Sequence, residues 1–199
     1  KKYNFSKVYD LQNSSRTAFY KKILFPKATK DTWSSTETTL PEGTTKQDFD
    51  KDSVLSRFDH QLKNSGINTN HTLRPDFSWS PSDISQIKNY HQLDKYILLF
   101  PFCSPHLISK KWPYYNELIS LINEKLDNKL KVVIAPGPDE IKEASNINAL
   151  CVLDNGKALD ISQLAALIKD SSFVIANDTG PAHMTAHLGS KGIALFGSH

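Results

Sequence analysis

The sequence predicts an α/β protein built on a parallel sheet with helices on both faces, and three observations predict it. Five short apolar runs, "KYILLFPF", "KVVIAPG", "ALCVL", "SFVIAND" and "GIALFG", follow one another in the second half of the 199-residue chain. Between them stand segments whose apolar residues recur at helical spacing, such as "WPYYNELISLINEKL" and "DISQLAALIKD". No two of the runs are joined by a tight hairpin turn. Strands that are apolar throughout are covered on both sides, and parallel neighbours need helical crossovers between them.

Taken from the start, Phe5 to Leu11 alternate enough for a strand, and "NSSRTAFYKKILF" reads as a polar turn opening a short helix, half of a βα unit. Pro26 to Lys46 is rich in Thr, Ser, Lys, Glu and Pro, and reads as one long loop. From Gln47 to Ser65, Phe49, Val54, Leu55, Phe58 and Leu62 predict a single helix, which Gly66 stops. "INTNHTLRPDFSWSPSD" is an extended connector punctuated by Pro75 and Pro81, and the expected domain boundary; Ser82 or Asp83 would cap a short helix to about Tyr90. After Leu93 strands and helices alternate regularly. Pro113 stands near the first position of one helix, "PDEIKEAS" forms a short one, Asp160 and Gln163 make a capping box, and Gly189 closes the helix of "GPAHMTAHLG". No internal repeat is visible.

Composition narrows the function classes. No apolar run approaches the roughly 18 residues of a membrane span. A net charge of +3, from 24 Lys and Arg against 21 Asp and Glu, lacks the clustered excess of a nucleic-acid binder. The tight basic pairs Lys1-Lys2, Lys21-Lys22 and Lys110-Lys111 are expected to be solvated. Cys103 and Cys151 each follow an apolar stretch, as small buried residues of a reduced, intracellular protein do. The chain opens and stops inside strand-like patterns, so both ends look cut.

Ligands of open α/β sheets sit at the carboxyl ends of the strands. The residues to weigh therefore lie in "FCSPHLISKKWP", "APGPDE", "LDNGKALD" and "NDTGPAH". His183 and His187, four apart, share a helix face, but Met184 stands where a zinc protease carries its glutamate, and no third ligand is near. The same stretch works better as an anion cradle. Asp178 ends a strand, and Thr179, Gly180 and Pro181 open a helix whose free N–H groups and positive dipole end point above the sheet. Asp178 is equally readable as a simple N-cap. Lys110 and Lys111 stand before a helix start, where the dipole disfavours cations unless an anion compensates. Gly137 permits close backbone approach, and Asp139 or Glu140 could accept ribose hydroxyls or merely cap.

Together, "KKWP", "PGPDE", "NDTGPAHMTAHLG" and "ALFG", in that order, resemble the donor-binding half of the heptosyltransferase family, glycosyltransferase family 9, which assembles lipopolysaccharide core with the two-domain GT-B fold. "VYDLQNSSRTAFY" resembles the family's late acceptor-domain strand and turn. The resemblance implies an incomplete acceptor domain with connector over 1–93 and a nearly complete, Rossmann-like donor domain over 94–199. It implies metal-independent transfer of heptose from ADP-heptose, with inversion, to a lipid-linked saccharide acceptor, in the cytoplasm at the inner face of the bacterial inner membrane. No cofactor and no nucleic-acid partner are implied, and membrane contact is peripheral.

Carried over, Thr179 and Gly180 would hold the donor diphosphate with Lys110 as cationic partner and Ser104 nearby. Asp178 would contact sugar hydroxyls, and His183 the donor or the turn. Asp139 or Glu140 would meet the ribose, and Arg16 an anionic group of the acceptor. The chain departs from the family pattern at Pro136-Gly137-Pro138, usually Gly-Gly-Pro, and at His187, usually alanine. The family's carboxylate base is expected upstream of the first residue here, so no catalytic residue is assigned. Two other readings remain: another GT-B nucleotide-sugar enzyme, such as an epimerase or a different glycosyltransferase, and a non-catalytic nucleotide-sugar-binding module.

Overall fold

The computed structural model describes residues 5–70 and 76–197. The Lys1-Lys2 pair, the connector residues 71–75 with Pro75, and the last two residues lie outside the described part. The chain forms two compact units that divide between residues 75 and 76, within the connector. The sequence grouping at 93/94 divides the chain further on; Ile84, Ile87 and Leu93 pack into the core of the second unit.

In the first unit, β1 (Val8–Tyr9) pairs in parallel with β2 (Trp33–Ser34) through the crossover helix α1 (Ser15–Leu24). Ser14 caps α1, accepting from the Thr17 N–H at 3.2 Å. The expected loop over Pro26 to Lys46 is thus corrected: it contains β2 and a short helix, α2 (Thr36–Thr39). A two-residue strand is too short to show a period, and its partner is distant in sequence.

The expected single helix from Gln47 to Ser65 is two, α3 (Lys46–Phe49) and α4 (Val54–Asn64). The intervening Asp50-Lys51-Asp52-Ser53 favours a break, because Ser53 turns its hydroxyl to the Ser56 N–H at 3.2 Å and so starts a new helix. Gly66, at φ +81°, ends α4 as expected. Its N–H reaches Lys63 O and that of Ile67 reaches Leu62 O, both at 3.0 Å, which satisfies two of the last carbonyls.

The sequence does not announce how polar the centre of this unit is. Gln61 of α4 is fully buried. Its amide donates to Asp10 O at 2.9 Å and to Ser34 O and Oγ at 3.2 Å, while its oxygen accepts from Asn13 Nδ2 at 3.0 Å. Asn13 in turn receives the Thr36 N–H at 2.6 Å. One side chain ties β1, β2 and α4 together. Gln61→Leu keeps the volume but strands these partners, and is expected to cost about 2 kcal/mol, read as a lower urea midpoint at unchanged m-value.

The second unit is a five-stranded parallel sheet in the order β5-β4-β3-β6-β7. Its strands are β3 (Tyr96–Phe100), β4 (Lys131–Ile134), β5 (Leu150–Cys151), β6 (Phe173–Asn177) and β7 (Gly192–Leu195). Alternation of side chains splits the core in two. Tyr96, Leu98, Phe100, Val133, Val174 and Ala176 pack under α5 (Ser85–His91), α8 (Ile161–Asp170) and the end of α9 (Gly180–His187). Ile97, Leu99, Val132 and Ile134 pack under α6 (Tyr115–Lys125) and α7 (Ile141–Ala144). Helices on both faces of a parallel sheet are what the apolar runs predict.

Boundaries are close to expectation. Asp160 and Gln163 form the capping box at 2.8 and 2.9 Å. Pro113 precedes the N-cap Tyr114 rather than standing inside the helix. Asp83 accepts from the Ser85 N–H at 2.9 Å as α5 begins. The two thiols are free and half-buried rather than fully buried. No helix among the described residues is long and apolar enough to cross a membrane.

Candidate functional site

The chain runs from β3 outward through β4 to β5, then returns to lay β6 and β7 on the other side of β3. The turns leaving β3 and β6 therefore diverge, and a crevice opens between them at the carboxyl ends of the strands. A cavity of about 440 Å³ lies there, within the range of small-ligand sites.

Its polar side is supplied by three turns. Between Phe102 and Trp112 the chain makes a 3-10 turn over Pro105–Lys110, which brings Ser104 and Lys110 to the cavity. After β4 come Gly137 and Glu140, and after β6 come Asp178, Thr179, Gly180 and His183. The rest of the lining includes the apolar Phe100, Leu107, Ala135, Leu159 and Leu164. A ligand with an anionic part and a flat apolar part matches this lining.

Lys110 and Asp178 form the electrostatic centre. The ammonium lies 2.5 Å from Asp178 Oδ2 and 3.3 Å from the Asp178 carbonyl, with side chains 20% and 14% exposed. At that burial a charge-assisted bond is strong, and either ion left alone is costly. His183 Nε2 stands 3.9 Å from the other Asp178 oxygen, on an exposed side chain. Asp178 thus faces Lys110 and His183, and the N-cap position belongs to Thr179, whose hydroxyl donates to Asn177 O at 3.2 Å. Asp178 also lines the cavity, and the cap position open to it in the sequence is taken by Thr179.

Thr179 is extended and Gly180 begins α9, with Pro181 second. Pro181 has no N–H to give, so the dipole end is presented by Gly180. Nothing lies within 4 Å of where a Gly180 side chain would stand. Neither packing nor a positive φ calls for glycine here; its missing side chain leaves the backbone open from the cavity.

Of the two lysines of "KKWP", the resemblance singles out Lys110, and Lys110 is the one that lines the cavity. Lys111 pairs with Glu143 of α7 and lies over the Phe102 ring at 6.0 Å, and it does not line the cavity. Asp139 is exposed and is not among the lining residues, whereas Glu140 is. One Glu140 oxygen accepts the Gly137 N–H at 2.8 Å, so this residue also closes its own turn. His187 is exposed and packs its ring 5.2 Å from that of Phe77. The two histidines thus serve different partners, and no group of three or more potential metal ligands occurs among the described residues.

Cys103 also lines the cavity; burial pushes its thiol pKa up and its Sγ donates to Leu107 O at 3.2 Å, so it stands as a thiol rather than a thiolate. Arg16 belongs to the first unit, exposed in the first turn of α1. It does not line the cavity of about 200 Å³ at the ends of β1 and β2, where Asp10, Lys21 and Thr36 are found.

Sequence reasoning missed Leu159, Leu164 and Asn177. The leucines read as ordinary helix-flanking residues. Asn177 was hidden beside the more eloquent Asp178, although a polar residue ending an apolar strand is itself a signal. It is fully buried and bonds to Trp112, Tyr115 and Phe102.

The fold is shared with solved heptosyltransferases. The Escherichia coli heptosyltransferase WaaC with ADP-2-deoxy-2-fluoro heptose superposes with a TM-score of 0.58 at 18% identity, covering 96% of this chain and 61% of WaaC. WaaC with ADP gives 0.57 at 18% identity, over 96% and 62%. A family 9 glycosyl transferase from Veillonella parvula gives 0.54 at 20% identity, over 72% of this chain and 44% of that one. The chain therefore spans about three-fifths of the length of WaaC. No curated protein sequence matches it. At these identities the superpositions show a common GT-B fold, and membership rests on the family model, which matches residues 1–199 from end to end. This chain belongs to glycosyltransferase family 9, the heptosyltransferases.

Proposed function

We propose that the cavity at the ends of β3, β4 and β6 binds ADP-activated heptose, and that the protein to which this chain belongs transfers the sugar with inversion to a hydroxyl of a lipid-linked core saccharide. The observation that carries the reading is the meeting of a helix N-terminus at Thr179-Gly180 with the Lys110 cation at one cavity that is also lined by apolar side chains. Diphosphate needs the first two, and adenine suits the third. The ADP and ADP-sugar analogue held by WaaC support the same ligand class.

In the reaction, the acceptor oxygen attacks the anomeric carbon as its bond to the β-phosphate oxygen breaks, and ADP leaves with the electron pair. The acceptor proton passes to a carboxylate supplied outside these residues. Charge gathers on the departing diphosphate, where Lys110 and the Gly180 N–H are aimed. When phosphate draws Lys110 away, Asp178 is released toward the sugar hydroxyls. Glu140 and Ser104 stand at the rim for the ribose and phosphates.

Calorimetric titration with ADP and ADP-heptose, beside UDP and GDP, tests the reading. ADP and its sugar ester are expected to bind and the other two nucleotides to bind at least about tenfold more weakly, since adenine carries an amino group where guanine and uracil carry a carbonyl oxygen, and a site that pairs with one leaves the other unpaired. A folded chain that binds none of the four overturns it.

A further inference from the structure

Every part of the cavity that bears charge hangs on a turn, yet Lys110 holds a defined place. Its turn runs from Phe102 to Trp112 with a kink at Leu107, and it has no buried side chain of its own between Pro105 and Lys110. Bonds within the segment, such as Leu107 N–H to Ser104 O at 2.8 Å and Lys111 N–H to Ile108 O at 2.9 Å, shape the turn but do not tie it to the sheet. Its two ends, however, converge on one side chain of the neighbouring strand. Asn177 Oδ1 accepts the Trp112 N–H at 3.2 Å, and its Nδ2 donates to Phe102 O at 3.4 Å. The Tyr115 hydroxyl, 3.2 Å from both Asn177 Oδ1 and Phe100 O, locks the arrangement to α6 and to the end of β3.

We propose that Asn177 is the positioning residue of the site: by clamping both ends of the Phe102–Trp112 turn, it sets Lys110 against Asp178 at the distance where the cation can pass from carboxylate to phosphate. The proposal rests on reading the cavity as the nucleotide site only for its consequence; the clamp itself is a property of the chain. The chemistry suits asparagine. It offers an acceptor and a donor on one short planar group, as a clamp between an N–H and a C=O requires. Aspartate would bury a charge, and leucine would leave three polar partners unmet. Gly197 also lies against this turn, where an added Cβ would sit 2.3 Å from the carbonyl oxygen of Ser109, the residue before Lys110.

The test is acylation of lysines in the 199-residue chain by an amine-reactive ester, with rates read peptide by peptide in a mass spectrometer. In the unaltered protein Lys110 is expected to react about three- to tenfold more slowly than the exposed Lys125, since reaction requires the ion pair to open locally. In Asn177→Leu the Lys110 rate should rise to within about twofold of Lys125, with Lys169 of α8 unchanged as internal control. Asn177→Asp keeps the oxygen that receives Trp112 and Tyr115 but loses the donor to Phe102 O, and should give a Lys110 rate between those of the unaltered protein and Asn177→Leu; Tyr115→Phe, which keeps the clamp on both turn ends, should stay near the unaltered rate. Unchanged Lys110 protection in Asn177→Leu, with Lys169 also steady, overturns the proposal. If Asn177→Leu unfolds and all lysines accelerate, Asn177→Asp decides, a Lys110 rate unchanged from that of the unaltered protein with Lys169 also steady being the adverse result.

A binding arm separates a positioning role from a general loss of stability. Asn177→Leu should weaken ADP about fivefold in the unaltered background and not measurably once Lys110 is alanine, because coupled residues are not additive. Equal losses in both backgrounds count against the clamp acting through Lys110. If the unaltered chain binds no ADP, the nucleotide reading fails while the acylation rates still decide on the clamp.

Discussion

Lys110→Ala is expected to weaken ADP binding about tenfold to a hundredfold, the value of a lost hydrogen bond to a charged group. Two effects add. The diphosphate loses its cation, and Asp178, which pairs with Lys110 at 2.5 Å, loses that partner and turns a less balanced negative charge toward the phosphates. The partner substitution separates them. Asp178→Asn removes the competitor for the ammonium, so ADP should bind as tightly as before or more so, while transfer from the ADP-sugar declines if Asp178 meets the sugar. Calorimetry on the two variants, beside a turnover assay on the full-length enzyme, checks both. Equal weakening by both substitutions would mean that the pair merely braces the fold. Lys111→Ala supplies the control: its ammonium is engaged with Glu143, off the cavity, and the affinity should hold within about twofold, as for a surface pair.

The largest effect on stability is expected at the centre of the sheet. Leu98 of β3 has no exposed surface and packs under α5 and α8. Leu98→Ala removes buried methyl groups in a place flanked by paired strands on both sides, where the backbone cannot collapse to fill the space. A loss of about 3 kcal/mol follows, with a fall in Tm on the order of 10 °C. Leu121 of α6, half exposed, is the comparison: Leu121→Ala should cost less than about 1 kcal/mol. A differential scan of the two variants reads the contrast directly, and similar melting shifts would contradict the assigned core.

The parts of this fold that were legible in the sequence are those that carry a period or a cap. Tyr96–Phe100 and Phe173–Asn177 are apolar in nearly every position, and the capping box of Asp160 and Gln163 marks a helix start by itself. Trp33–Ser34 was not legible, because its strand is defined by a partner at Val8–Tyr9 and not by any pattern of its own. The break at Asp50–Ser53 went unread because the apolar spacing runs through it, while the competing Ser53 cap depends on a single hydroxyl. In the site, Thr179, Gly180 and Lys110 were visible as a turn motif and a cation. Their union in one cavity, the turning away of Lys111, and the exposure of Asp139 depend on the order of strands in space, which no local pattern encodes. Asn177 illustrates the limit best: its three partners lie more than sixty residues upstream and show only when the sheet is assembled.

The strand order also dictates a sequence of events in time. Ile97 lies beside Val132 on one side and Phe173 on the other, and the second of these neighbours leaves the ribosome long after the first. Parallel pairing of this kind closes large loops before any contact rewards it, and is slow. During that interval the edge of "YILLF" that β6 will cover stands open, a five-residue apolar segment without charge or proline. Such a segment is what aggregating chains recruit. The nascent polypeptide is therefore most vulnerable between synthesis of β3 and arrival of β6, and the late strand that ends at Asn177 and brings Asp178 to the cavity is the same one that ends this exposure.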